Sequence, residues 1–166
     1  MRLSDDPERQ EFLKNRNKPF FKGKDGKNYL KLRRKLLSIA GTEIYIQSDP
    51  DLLKLLKYGK VIHARTIKIV DGEPNRCHYN SALFWLEDRV GFKIVIGWAL
   101  VEDGLWYQHT FCWSPNTKEI IDNGRGKIYW GYVLDNKESI RFLFSNVQDR
   151  KFLFQTLYQN STLNRL

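Results

Sequence analysis

Four β-rich segments between Lys93 and Leu134 constrain this 166-residue chain more than any other feature. Lys93–Glu102 and Leu105–Trp113 flank Asp103-Gly104, and that dipeptide between apolar runs is a strong hairpin signal. Glu119–Asn123 and Lys127–Leu134 follow after short loops, so the pattern predicts a mainly antiparallel β-meander. Just ahead of it, Cys77–Asp88 has helical spacing at Tyr79, Ala82, Leu83 and Leu86, with Phe84 and Trp85 widening the apolar face. A helix that is apolar on most sides belongs near the centre of a fold.

The flanking segments read as helices. Asp6-Pro7 is an N-cap and first-turn pair that starts a short helix through about Asn15. Residues 16–27, punctuated by Pro19, Gly23 and Gly26, read as a loop. From Asn28, Tyr29, Leu32, Leu36, Ile39 and Ala40 recur at helical spacing until Gly41. Thr42–Gln47 is a short strand, Leu52–Leu56 lies in a second helix, and Val61–Val70 reads as one strand closed by the turn Asp71–Pro74. Asp135 and Glu138 form a capping box before a helix over Ile140–Ser145. A last helix from about Val147 to Asn160 turns Phe152, Leu153, Leu157 and Tyr158 toward the body. The expected fold is therefore α+β, with the Cys77 helix packed on the meander between N- and C-terminal helices. Residues 1–166 make one domain, with a basic N-terminal helix and arm over 1–28 and a core over 74–134.

A hydrophobic share of 42% and an aromatic share of 14% suit a packed core rather than a disordered chain. The net charge of +9 is confined to one place. Lys14–Lys35 holds ten Lys or Arg and only Asp25 against them, and the remaining charges cancel. That segment, with Phe20, Phe21 and Tyr29 interleaved, carries the alternative function: binding nucleic acid, an acidic partner or a membrane surface. No apolar run reaches membrane-spanning length, and Asp5 and Asp6 interrupt any N-terminal signal core. The expected location is the cytoplasm, or outside it by a route that leaves no recognisable signal peptide.

The chemistry centres on Cys77. A thiol becomes a nucleophile as its thiolate, and a helix N-terminus favours that charge through its dipole and unpaired amides. Asn75 is the candidate cap, and the Cys77 backbone N–H is a candidate oxyanion donor. His109, mid-strand, is the candidate base. A two-residue turn at Asp103-Gly104 places Trp98 opposite His109, where it would restrict and shield the ring. The third member depends on loop length. A five-residue loop over Ser114–Lys118 sets Asn123 opposite His109, and a loop one residue shorter sets Asp122 there. Asp122 is favoured because a carboxylate stabilises an imidazolium better. Asn80 is a candidate brace, and His63 and His78 are alternative bases. A zinc site built on Cys77, His78, His109 and Cys112 has poor geometry, since His109 and Cys112 point to opposite faces of a strand. No metal and no cofactor is expected.

The order Cys77, His109, Asp122 resembles the papain-like and transglutaminase-like cysteine enzymes, with His109-Thr110-Phe111-Cys112-Trp113 as the histidine strand and Ile121-Asp122 as the acid strand. Glu73–Asn80 together with Gly104–His109 is also similar to a small bacterial family. The resemblance covers about 50 of the 166 residues. It implies a thiol hydrolase or acyl-transferase (peptidase, amidase, deamidase or transglutaminase-like) acting on an amide in a protein, peptide or small molecule. No glutamine shortly precedes Cys77, where papain carries its oxyanion donor, which leaves Asn75 as the candidate second donor.

Overall fold

The computed structural model describes residues 6–163, with side chains through residue 157. The elements in chain order are α1 (Pro7–Lys22), α2 (Gly26–Ile39), β1 (Glu43–Tyr45), α3 (Leu52–Tyr58), β2 (Lys60–Val61), β3 (Thr66–Ile69), α4 (Cys77–Glu87), β4 (Lys93–Leu100), β5 (Leu105–Trp113), β6 (Glu119–Asp122), β7 (Ile128–Val133), α5 (Asn136–Asn146) and α6 (Arg150–Leu163). The strands form a mixed, mostly antiparallel sheet in the order β2-β7-β4-β5-β6-β3, with β1 paired to β5 off that path. This is the α+β class expected. No helix among the described residues is long and apolar enough to cross a membrane.

The chain gathers into two compact units, each made of discontinuous stretches, and β4 and β5 contribute to both. The first holds residues 1–63, 96–109 and 125–132; the second holds 64–95, 110–124 and 133–166.

In the first unit the Asp6 carboxylate accepts from Glu8 N at 3.0 Å, and Pro7 occupies the first helical turn. The helix does not stop near Asn15. It runs through Pro19 to Lys22 because α1 is tied down beyond the point where its propensity falters. Asn17, buried, donates from Nδ2 to Ile44 O (2.8 Å) and accepts at Oδ1 from Ile46 N (3.2 Å), filling both backbone positions along β1. Arg16 lies 3.9 Å over the Tyr45 ring. Gly26 then opens α2 hard against α1, where a Cβ would sit 2.0 Å from Phe21 O. Tyr29, Leu32 and Leu36 form the buried face of α2, as their spacing predicts.

The expected strand over Val61–Val70 divides. Lys60–Val61 pairs antiparallel with β7, whereas Thr66–Ile69 runs parallel to β6, from Thr66↔Glu119 to Ile69↔Asp122. The chain changes unit between His63 and Ala64, and alternation along a strand does not say which partner it takes.

The hairpin between β4 and β5 also differs from expectation. Gly104 N bonds to Val101 O and Val101 N to Leu105 O, both at 3.1 Å, with Gly104 at φ +84°. The turn therefore has three residues, Glu102–Gly104, ending in a left-handed glycine. The added residue moves the ladder by one, so Trp98 faces Gln108 and Gly97 faces His109. Trp98 is thus removed from the role of shielding His109.

Trp98 and Gln108 converge instead on Asp49, which is 7% exposed. Burial pushes the Asp49 carboxyl up to about 6, although Asp51 N donates to it at 2.9 Å and Trp98 and Gln108 favour the charged form. Asp49 Oδ2 and Trp98 Nε1 nevertheless close no hydrogen bond of ordinary geometry. Because the folded state holds this proton more tightly than the unfolded chain, stability is greatest below about pH 4 for this group and declines as pH rises through about 6. Asp49→Asn is expected to remove that decline and to stabilise the protein at pH 7.5 by about 1–2 kcal/mol. Urea unfolding at pH 4.5 and 7.5 measures it; a destabilised variant at pH 7.5 contradicts it.

The second unit packs α4 on α5. The Asp135/Glu138 capping box is present, with Glu138 N to Asp135 Oδ1 at 2.7 Å and Asp135 N to Glu138 Oε2 at 3.0 Å. Leu153 of α6 is buried, but Phe152 is 43% exposed rather than turned inward. The expectation for Tyr158 lies outside the described side chains.

Candidate active site

Cys77 is the first residue of α4. The backbone enters the helix through Asn75 at φ +58°, a left-handed conformation that asparagine tolerates better than most residues. Asn75 thus stands one residue outside the cap position it was expected to fill. Arg76 holds that position and provides no capping oxygen. Its guanidinium pairs with Glu73 and lies 4.3 Å over the Tyr79 ring.

The loop before Cys77 is clamped by Asn80, itself 3% exposed. Asn80 Oδ1 accepts from Glu73 N (3.0 Å) and Nδ2 donates to Glu73 O (2.8 Å), a two-point grip on one peptide unit pair. The fit requires Gly72, where a Cβ would meet Asn80 Cγ at 2.8 Å. Asn123 Nδ2 reaches the same Glu73 carbonyl at 3.5 Å. The Asn123 amide is therefore directed at the loop that delivers Cys77.

Ser81 orients the helix. Its hydroxyl donates to Thr110 O at 2.9 Å, and its own carbonyl accepts from Cys112 Sγ at 3.3 Å. Residues four apart share a helix face, so the Cys77 side of α4 is the side that Ser81 fastens to β5 at Thr110. Thr110 follows His109 in the chain.

The two cysteines differ sharply, and neither forms a disulfide. Cys112 is fully buried; burial pushes its thiol far above the ordinary range, and the charges of Asp122 and Glu87 add to the shift. Cys77 is only half-buried.

Asp122 ends β6 and is 1% exposed. The pairs Cys112↔Ile121 and Trp113↔Ile120 carry the ladder one step on to Phe111 opposite Asp122, where β6 ends. Both loop lengths considered from sequence were too short. Lys118, at φ +58° with its N–H on Ser114 O, adds a residue to the connection and shifts the register. Asp122 is buried in the second unit, whereas the Asn123 amide is turned toward the Glu73 carbonyl.

Cys77, Asp122, Asn75, Asn80 and Asn123 belong to the second unit, whereas His109 and Trp98 belong to the first. His109 is half-buried on β5. His63 is exposed, and His78 is exposed with its ring 5.6 Å from that of Phe142 on α5. Among the described residues no three or more His, Cys, Asp or Glu are grouped to hold a metal ion. Ser81 and the Glu73 carbonyl stand outside the set of residues expected from the sequence. The signal for Ser81 was its spacing of four from Cys77; for Glu73 there was none, because its contribution is backbone. No protein family model, curated protein or solved structure matches this chain.

Proposed function

We propose that the chain is a cysteine hydrolase or acyl-transferase acting on amides, with Cys77 as nucleophile, His109 as base and Asp122 as the group that orients the imidazole. The observation that carries the reading is the contrast between the thiols. One is sealed in the core as an inert donor to Ser81 O; the other opens a helix, on the face fastened to β5 beside Thr110.

In this reading His109 takes the Cys77 proton, and the helix dipole favours the resulting thiolate. Sulfur attacks the amide carbon, and the oxyanion meets the Cys77 backbone N–H, with Asn75 the candidate second donor. The C–N bond breaks as the imidazolium gives its proton to the departing amine. Water or an amine then attacks the thioester, and its proton returns through His109 as the thiolate leaves. Asn80 acts as a positioning residue, since its amide is committed to Glu73.

Intact mass spectrometry after brief exposure to p-nitrophenyl esters tests the covalent step. The expected product carries a single acyl group on Cys77, discharged by hydroxylamine as a thioester is, and Cys77→Ser abolishes it. Acylation only at lysines, stable to hydroxylamine, contradicts the reading.

A further inference from the structure

Between α1 and α2 lies an open groove of about 460 Å³ in the first unit. Its apolar floor is Phe21 and Leu30, both half-buried. Along one wall Lys14, Lys18 and Lys22 stand four residues apart, a ridge about 12 Å long at the ordinary helical rise. Lys18 and Lys22 are exposed, and among the described residues neither meets an acidic side chain. Lys14 has only a loose pair with Glu11 at 3.7 Å, both side chains largely in solvent. On α2, Lys27 and Arg34 stand three residues before and four after Leu30, which puts them on the same side of that helix. The groove thus has an apolar floor of two residues and a lysine ridge along one wall, with Lys27 and Arg34 on α2 just beyond its lining.

We propose that this groove receives an acidic amphipathic helix of a partner protein. Two helices joined by the three-residue turn Gly23–Asp25 present the seat that a third helix fills, with ridges packed into the groove between them. Apolar residues at every third and fourth position of the occupant lie on Phe21 and Leu30. Carboxylates flanking them meet Lys18 and Lys22 on one side and Lys27 and Arg34 on the other.

Charge within the groove also sets the direction of the occupant. Glu11 and Glu43 line the end away from the turn, and Arg33 there is already held by Glu43 through two bonds of 2.7 and 2.8 Å. The acidic half of the partner helix therefore lies at the end near Gly23–Asp25. The same carboxylates oppose a continuous phosphate backbone. A single strand of nucleic acid would also find only the Phe21 ring to stack on, where such sites use a series of rings.

Fluorescence anisotropy with a labelled helical peptide of about 18 residues, Leu on one face and Glu flanking it, tests the proposal. Controls are a scrambled peptide of the same composition and an oligo-dT of about 20 nucleotides. The patterned peptide is expected to bind, and Lys18→Glu with Lys22→Glu to weaken it about tenfold or more. Lys60→Glu with Lys137→Glu changes net charge equally at exposed positions on β2 and α5, outside the groove, and is expected to leave binding within about twofold of wild type. The proposal is overturned by any of four results: no binding of the patterned peptide, equal binding of the scrambled one, tighter binding of oligo-dT, or equal weakening by the two double variants. Cys77 reactivity is independent of all four.

Discussion

Iodoacetamide is expected to modify Cys77 in the folded protein at least roughly a hundredfold faster than Cys112 near neutral pH. The two thiols share one chain and one solvent, so the ratio reports environment alone. Alkylation requires thiolate and access. Cys112 lacks both: it is fully buried, its ionisation is opposed first by burial and then by Asp122, and its Sγ is held on Ser81 O. Cys77 is half-buried at a helix start, where each unit of pKa depression would multiply the thiolate fraction up to about tenfold. Peptide mapping after timed quenching gives both rates in one sample. Equal, slow labelling of the two residues contradicts a functional Cys77. Unfolding in urea should make the rates converge, which separates structural protection from intrinsic reactivity.

The second large effect belongs to the fold. Gly97 and Gly131 approach each other where β4 passes β7. A Cβ on Gly97 would lie 2.0 Å from Trp130 O, and one on Gly131 would lie 2.4 Å from Ile96 O. Both obstacles are backbone, which cannot rotate away, so Gly97→Ala must separate the strands and disturb the buried Trp98 and Trp130 beside them. A loss on the order of 3 kcal/mol or more is expected in urea unfolding. Gly23→Ala is the control. Its Cβ would meet Pro19 O at 3.3 Å with φ already at −72°, so its effect should stay within about 1 kcal/mol. A cost under about 1 kcal/mol for Gly97→Ala contradicts the close strand approach.

Neither glycine announces itself in the sequence, and the reason separates the legible from the hidden here. Features set by neighbours in sequence could be read directly. The Asp135/Glu138 capping box, the Asp6-Pro7 helix start, the Tyr29–Leu32–Leu36 face and the beginning of a helix at Cys77 all depend on steps of four positions or fewer along the chain. Features set by distant backbone could not. α1 continues past Asn15 because Asn17 grips β1 some 27 residues away, overriding the signal of Pro19. The apparent strand over Val61–Val70 serves two partners because its alternation carries no address.

At the candidate site the same division holds. Cys77 at a helix start and Asp122 at a strand end were legible as residue types in order along the chain. The registers were not. One added residue in the Glu102–Gly104 turn moved Trp98 from His109 to Gln108, and one added residue before Glu119 set Asp122 opposite Phe111. Side chains alternate faces along a strand, so a single-residue error in loop length reverses every facing argument built on it. The Asp49 cluster escaped notice because its burial depends on Trp98, Gln108 and Tyr29, from three different elements.

The proposed activation of Cys77 by His109 has a pH signature. Its most direct measurement is the rate of Cys77 alkylation against pH, in the wild type and in His109→Ala. Wild-type Cys77 is expected to react rapidly well below the range near 8.5 where an ordinary thiol ionises, and His109→Ala to move the rise in rate up into that range. Asp122→Asn should move it part of the way, because an amide still orients the ring but does not stabilise the imidazolium. A wild-type profile rising only near 8.5, and unchanged by His109→Ala, would show that His109 does not activate Cys77.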